Sequence, residues 1–251
     1  MMRGWLTRSP RATRGAAPES GGLPAARAAG RAALGVLCAV ALAACSSPSS
    51  RFYTLSAGDP SAQPAGTATN PALLIEVPPV DVPPQVAKNQ FVVQTGQTQV
   101  SVLEQERWAS LPGDEIRRAL SNTLTQQLGT IDVYGTPYPD RVPVYRISVN
   151  VQRFESWPGS HALIDAVWSV RAVRTQAVLT CRSVASEPVG GGYDALAEGH
   201  RRAVQQISTD IAAAVRVLAA ASARGAALAC PTPAAPGAPP APAASTTSTG
   251  G

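Results

Sequence analysis

The sequence predicts an α+β fold in which a twisted, mostly antiparallel sheet carries two main helices packed on one face, as a sandwich. Several short segments alternate polar and apolar residues, which is typical of strands. Two longer segments repeat apolar residues every three or four positions, which is typical of amphipathic helices. Of the 251 residues, 45% are hydrophobic and 15% are charged. This balance excludes a wholly disordered chain and a multi-span membrane protein.

The first 44 residues have the pattern of a secretory signal peptide. Residues 1–31 contain six arginines and one acidic residue, which accounts for the formal net charge of +5 and leaves the rest of the chain balanced. The apolar run 32–44 is too short to cross a bilayer core, which requires about 20 apolar residues. Because the exported chain is neutral by formal count, we expect no nucleic-acid binding.

The signal ends in Leu42-Ala43-Ala44-Cys45, which resembles a bacterial lipobox. We expect cleavage before Cys45 and acylation of that cysteine, since several acyl chains give firm anchoring. A secreted protein with a chance cysteine is the alternative. Ser46 follows where an aspartate tends to retain such lipoproteins in the inner membrane, so we expect the outer membrane, on its periplasmic face. Residues 45–71 then comprise the lipidated cysteine, a tether, a short first strand (51–55) and a linker.

In the first half of the folded domain, the sequence pattern predicts short strands followed by one helix. Pro and Gly separate the three strands, which cover 72–80, 90–95 and 98–103. Pro112 and two acidic residues open the helix, and Gly129 ends it. Its apolar stripe consists of Ile116, Leu120, Leu124 and Leu128. A short strand is expected at 131–134.

The second half predicts an antiparallel meander and a long helix. Alternation is clear in 144–154 and 162–172, with 155–161 as the connection, and 176–184 supplies the third strand. The helix begins at Tyr193 and continues to about Ser222. Its apolar seam consists of Val204, Ile207, Ile211, Val215 and Leu218. The domain therefore covers 72–230, joined by strand 51–55, and residues 231–251 form a Pro/Ala-rich tail that we expect to be disordered.

No catalytic or metal-binding set emerges from the sequence. Ser160, His161 and Asp165 are the residue types of a hydrolase triad, but neighbours on a strand face opposite ways, so we expect no convergence. His200 is expected on the solvated side of the last helix. There is no CxxC or HExxH motif. We therefore expect no enzyme activity, metal or cofactor.

Two cysteines remain in the mature chain after Cys45, namely Cys181 and Cys230. An even pair in an oxidising compartment is consistent with a disulfide. Two separate thiols are the alternative.

Aromatic residues cluster close to the anchor. Phe52 and Tyr53 follow Cys45 closely, and Arg107 and Trp108 precede the first helix. We consider these four residues as a partner-facing or lipid-facing patch. The alternative is that the aromatic residues fill the core.

The order of five segments resembles the family of ABC-type transport auxiliary lipoproteins, the PqiC-like (paraquat-inducible protein C) group. After the lipobox at Cys45, these segments are RFYTL (51–55), ERWA (106–109), YRISVNVQRFE (145–155), LIDAVWSVR (163–171) and ISTDIAAAV (207–215). The chain departs from the group where an arginine often follows the strand corresponding to QFVVQ, since Gln94-Thr95-Gly96 stands there.

The resemblance implies a non-enzymatic auxiliary subunit of an intermembrane lipid transport system. It implies two partners, an MCE-domain protein that bridges the periplasm and an ABC or PqiA-type inner-membrane component. The lipoprotein would dock the far end of the bridge, and the resemblance also allows a homo-oligomeric ring around it. A free-standing lipid or lipoprotein carrier with an apolar cavity is the main alternative. A scaffold lipoprotein that binds peptidoglycan is the second.

Overall fold

The computed structural model describes residues 49–56, 70–224 and 229–231. The predicted signal peptide and Cys45 lie outside the described residues, as do most of the linker and all but the first residue of the tail. The described strands and helices, in chain order, are β1 Arg51–Tyr53, β2 Leu74–Glu76, β3 Gln90–Gln94, β4 Val100–Trp108, α1 Pro112–Leu128, β5 Val144–Trp157, β6 His161–Ala172, β7 Val178–Pro188 and α2 Tyr193–Arg224.

The strands form two sheets instead of the single predicted sheet. One has the order β1-β4-β3 and the other the order β2-β5-β6-β7. The β3–β4, β5–β6 and β6–β7 pairs are antiparallel. The short strands β1 and β2 pair in parallel with β4 and β5. The α+β class, with two main helices and mostly antiparallel pairing, is therefore confirmed.

The helix α1 follows the sequence signals closely. Leu111 is extended just before it, Pro112 lies in its first turn, and Gly129 ends it in the left-handed conformation at φ 59°. Gly129 is suited to that position because an L side chain is strained there. The predicted stripe is buried at Ile116, Leu120 and Leu124.

The long helix α2 packs its seam into the main core. All five predicted seam residues are buried. Gly199 permits close approach of α2 to the sheet, because a Cβ there would lie 2.9 Å from the Cβ of Ala162 and still closer to Val189. Neither described helix is long and apolar enough to cross a bilayer.

Three predicted boundaries differ from the structure. Strand β4 continues to Trp108, through residues that we expected to lie outside it. The β5–β6 connection is shorter than predicted, because the strands reach Trp157 and His161 and leave only three residues between them. The predicted strand 131–134 is reduced to one bridge between Asp132 and Ile75.

A shift in register between Val151 and Arg153 changes which side chains of β5 are buried. Before it, the alternation runs as predicted and Val149 and Val151 are buried. After it, Arg153 is exposed, although the strict alternation predicted over 144–154 would put it on the same face as Val151, and Phe154 and Ser156 are buried instead. A bulge of this kind adds one residue to a strand and so reverses the facing of those that follow.

Candidate functional site at the first strand

The strand β1, which begins six positions after Cys45, is bonded to β4 through a buried carboxylate. Arg51 donates from Nη2 and Nε to Glu106 Oε1 at 2.6 and 3.0 Å. Tyr53 donates from its hydroxyl to Glu106 Oε2 at 2.6 Å. Burial by itself raises the pKa of Glu106, but the hydrogen bonds from Arg51 and Tyr53 outweigh it and the pKa is lowered. Glu106 is therefore held as a carboxylate that ties β1 to the body.

A second buried carboxylate receives the residues just after β1. Glu115, in the first turn of α1, accepts from the Thr54 hydroxyl at 2.7 Å and from the Leu55 backbone N–H at 2.9 Å. The Ser110 hydroxyl also donates to it. Burial raises the pKa of Glu115, yet these hydrogen bonds together lower it. A negative charge is also favoured at the positive end of a helix dipole. We call residues 51–55 with Glu106 and Glu115 the latch.

Aromatic rings continue inward from the latch across the core. The ring of Tyr53 meets that of Phe91 edge-on at 5.1 Å, and Phe91 stacks on Trp108 at 4.2 Å. Trp108 then meets Phe154 at 5.8 Å, and Phe154 stacks on His200 at 4.0 Å. Tyr53 and Trp108 are buried. Their burial corrects the partner-facing prediction for these two residues and agrees with the core alternative, since neither presents a surface.

His200 overturns the prediction that it lies on a solvated face. Its side chain is fully buried, and its Nε2 lies 2.8 Å from the Ser156 hydroxyl oxygen. The bulge in β5 is the cause, because it turns Phe154 and Ser156 toward α2. Burial lowers the pKa of His200 to about 3, so the ring is neutral. A signal was present in the sequence, since His200 precedes Val204 by four residues and so extends the apolar seam.

Phe52 and Arg107 are the two predicted patch residues that reach the surface. They are opposite each other in the β1–β4 register. Phe52 is 66% exposed. Arg107 donates from Nε to the Glu104 carbonyl oxygen at 2.8 Å. A partner-facing function for these two residues stays a prediction.

The residues considered for catalysis do not form a triad. Ser160 Oγ lies 2.9 Å from His161 Nδ1, a contact that arises because Ser160 belongs to the turn and not to the strand. Asp165 is instead buried beneath Arg182, which donates to its two oxygens at 2.9 and 2.6 Å. Within residues 49–56, 70–224 and 229–231, no three His, Cys, Asp or Glu side chains are grouped to hold a metal ion.

Cys181 on β7 and Cys230 form a disulfide, with their Cα atoms 5.8 Å apart. The bond joins the edge strand of the four-stranded sheet to the chain that follows α2. The structure therefore agrees with the disulfide and not with two separate thiols, the alternative that the sequence left open.

Comparison with known proteins agrees with this architecture. The family model described as the ABC-type transport auxiliary lipoprotein component matches residues 53–212. No curated protein matches the chain. A crystal structure of an uncharacterized protein aligns with a TM-score of 0.53 and 20% identity, covering 67% of this chain and 99% of its own. A DUF330-family protein from Xanthomonas campestris aligns with a TM-score of 0.52 and 15% identity, covering 70% and 99%.

The family match begins within the latch and ends within α2, and so includes nearly all the elements described above. The family is one of transport auxiliary lipoprotein components and is not known as a family of enzymes. The chain belongs to the family of ABC-type transport auxiliary lipoprotein components.

Proposed function

We propose that the chain is an outer-membrane-anchored periplasmic lipoprotein without enzymatic activity that docks the periplasm-spanning component of an intermembrane lipid transport system. Its partners are an MCE-domain protein and, through that bridge, an ABC or PqiA-type inner-membrane component. Acyl chains on Cys45 attach it to the membrane. A ring of identical subunits around the bridge is part of the same proposal.

The latch is the observation that supports this proposal most directly. An anchored docking subunit needs its folded body fixed to the point where the chain leaves the membrane. Here Arg51 and Tyr53 are bonded to one buried carboxylate, and Thr54 and Leu55 to another. Charge-assisted hydrogen bonds to carboxylates are roughly twice as strong as neutral ones. The body therefore begins only a few residues after the proposed anchor, with little free tether.

Two cavities lined by described residues are too small for the carrier alternative. One cavity of about 280 Å³ lies beside Tyr145 and Ala219. Another of about 340 Å³ lies between Pro79 and Ser148. The first lies just below the range of about 300–1,000 Å³ for sites that hold small molecules, and the second lies at its low end. A phospholipid with two long acyl chains needs more room than either offers.

Fractionation with matched cysteine variants tests the anchor. We expect Cys45→Ala to release the protein from the outer-membrane fraction. Cys38→Ala, the same substitution on the other side of the proposed cleavage site, should leave it there. A Cys45→Ala variant that still fractionates with membranes would contradict the anchor.

Co-purification tests the docking function. The tagged full chain, solubilised from membranes with mild detergent, is expected to retain an MCE-domain protein. The Cys45→Ala variant, purified from the soluble fraction, is expected to contain no extractable phospholipid. Roughly one lipid per protein without an MCE-domain partner would instead establish the carrier function.

A further inference from the structure

The β3–β4 hairpin leaves two apolar side chains of β4 exposed on the face of the three-stranded sheet that points away from the core. On β3, Phe91 and Val93 point into the core and Val92 between them is also buried, so the exposed part of this face lies on β4. Val92 pairs with Val102, and Gln94 pairs with Val100, in the antiparallel register. Val100 is 48% exposed and Val102 is 41% exposed.

The hairpin that carries this face has no charged side chain over fifteen residues. Lys88 and Glu104 are the nearest charges on either side of residues 89–103. The turn 95–99 consists of Thr, Gly and Gln residues and is largely exposed. An exposed hairpin of this composition can enter an interface between water and lipid without desolvating an ion, which costs several kcal/mol per charge.

The direction of β1 brings its N-terminal end toward this hairpin. β1 runs parallel to β4, with Arg51 opposite Glu106. The Ser50 hydroxyl donates to Gln105 Oε1 at 2.9 Å, which extends that register by one residue. Ser49 and Ser50 therefore lie at the end of β1 that is directed along β4 toward Val100, its first residue.

The separation between Cys45 and the body is limited by chain length. Ser49 is four positions after Cys45, and a fully extended chain spans at most about 3.5 Å per position, or about 14 Å. Val100 is five positions before Gln105 on β4, about 17 Å along the strand at about 3.3 Å per residue. A membrane that holds Cys45 thus lies within reach of Val100 and Val102.

We propose that the β3–β4 hairpin forms a second membrane contact, in which Val100, Val102 and the turn 95–99 rest in the phospholipid headgroup region. Phe52 lies on the same outer face, at the edge of this contact. This contact rests on the proposed acyl anchor at Cys45, and it would fix the orientation of the body against the bilayer. The occupant of the face is a lipid surface, not a second protein.

A fluorescent probe on a single introduced cysteine tests the contact. The full lipidated chain carries Val102→Cys, with Val184→Cys as the matched control on β7. Val184 is 51% exposed in the other sheet. Since Cys181 and Cys230 are bonded to each other and Cys45 is acylated, the introduced thiol is the one that reacts. The labelled protein is reconstituted into phosphatidylethanolamine/phosphatidylglycerol vesicles that contain a phospholipid with a quencher near its headgroup.

We expect both proteins to float with the vesicles and the Val102 probe to be quenched at least about twofold more than the Val184 probe, since interfacial segments insert by about 5–10 Å. Flotation with equal quenching at the two sites would overturn the membrane contact and leave the anchor intact. A failure to float would refute the anchor, and with it both the proposed function and this contact. Shielding of the Val102 probe that depends on protein concentration, without lipid quenching, would assign the face to a second copy and overturn the proposal.

Discussion

The buried His200 makes the stability of the fold depend on pH in a range where carboxylates do not yet titrate. Burial holds the pKa of its ring near 3, whereas an unfolded histidine titrates near 6.5. Between these values the unfolded chain binds one proton more than the folded chain does. Stability is therefore fully present above about pH 6.5 and falls as the pH decreases toward the folded pKa.

The size of the effect follows from the two pKa values. Each pH unit below 6.5 removes about 1.4 kcal/mol, so the free energy of unfolding at pH 5 is expected to be about 2 kcal/mol lower than at pH 7. That is a large share of the 5–15 kcal/mol typical of a folded domain. The pKa values of Glu106 and Glu115 are lowered, so these carboxylates change the stability of the fold only as the pH falls to the ordinary glutamate pKa, which is below pH 5.

Urea unfolding at pH 7, 6 and 5, followed by tryptophan fluorescence, measures this slope. His200→Gln removes the titrating group. Whatever the free energy of unfolding of this variant is at pH 7, we expect it to change little between pH 7 and pH 5. His161→Gln, which replaces the other histidine at the partly exposed end of the β5–β6 hairpin, is expected to keep the wild-type slope. A wild-type protein that is equally stable at pH 7 and pH 5 would refute the reasoning, as would a His200→Gln variant that loses stability in parallel.

Three further changes are expected to lower the free energy of unfolding in the same assay. Glu115→Gln replaces the carboxylate that accepts from Thr54, Leu55 and Ser110 by an amide that cannot accept all of these bonds, which should cost about 1–3 kcal/mol; wild-type stability would contradict the latch. Gly199→Ala forces a methyl group into the contact between α2 and the sheet and should cost about 1–3 kcal/mol, whereas Gly190→Ala, with no atom within 4 Å of its Cβ, should cost far less. Reduction of the Cys181–Cys230 disulfide, which closes a separation of 49 residues, should cost about 4 kcal/mol on the chain-entropy account, and an unchanged urea midpoint would contradict it.

The sequence was sufficient for elements whose signals are local. Helix α1 carries its start at Pro112, its end at Gly129 and a repeated apolar stripe between them, and each of these acts within a few residues. The strand alternation in the first half of β5 is equally local. These features depend on backbone preference and on one buried face, so a single sequence is enough to predict them.

The position of His200 on the apolar seam was visible in the sequence, but its contacts with Phe154 and Ser156 were not, because those side chains face it only after a bulge. One additional residue in β5 reverses the facing of everything after it, and no glycine or proline marks the position. Asp165 is likewise buried although it alternates with the apolar residues of β6, because Arg182 from β7 covers it. Pairing between distant segments decides the burial of such polar residues, and a periodic pattern does not contain that information.

The latch was visible in the sequence only as two short motifs. Arg51 and Tyr53 lie far along the chain from Glu106, and nothing in their local pattern indicates that one carboxylate accepts from both. The parallel pairing of β1 with β4 brings them together. Glu115 likewise fits the usual preference for acids in a first helical turn, which conceals its second function as an acceptor for residues that follow β1.

The parallel direction of β1 also has a mechanical consequence. A pull on the residues that precede Arg51 acts along the axis of the strand and not across it. The backbone ladder to β4 and the three hydrogen bonds that Glu106 accepts from Arg51 and Tyr53 are then loaded in shear, so they share the force and must yield together. An edge strand peeled from its end would release its bonds one at a time. The three-residue strand β1 is thereby oriented to resist displacement of the body from whatever holds the residues before Arg51.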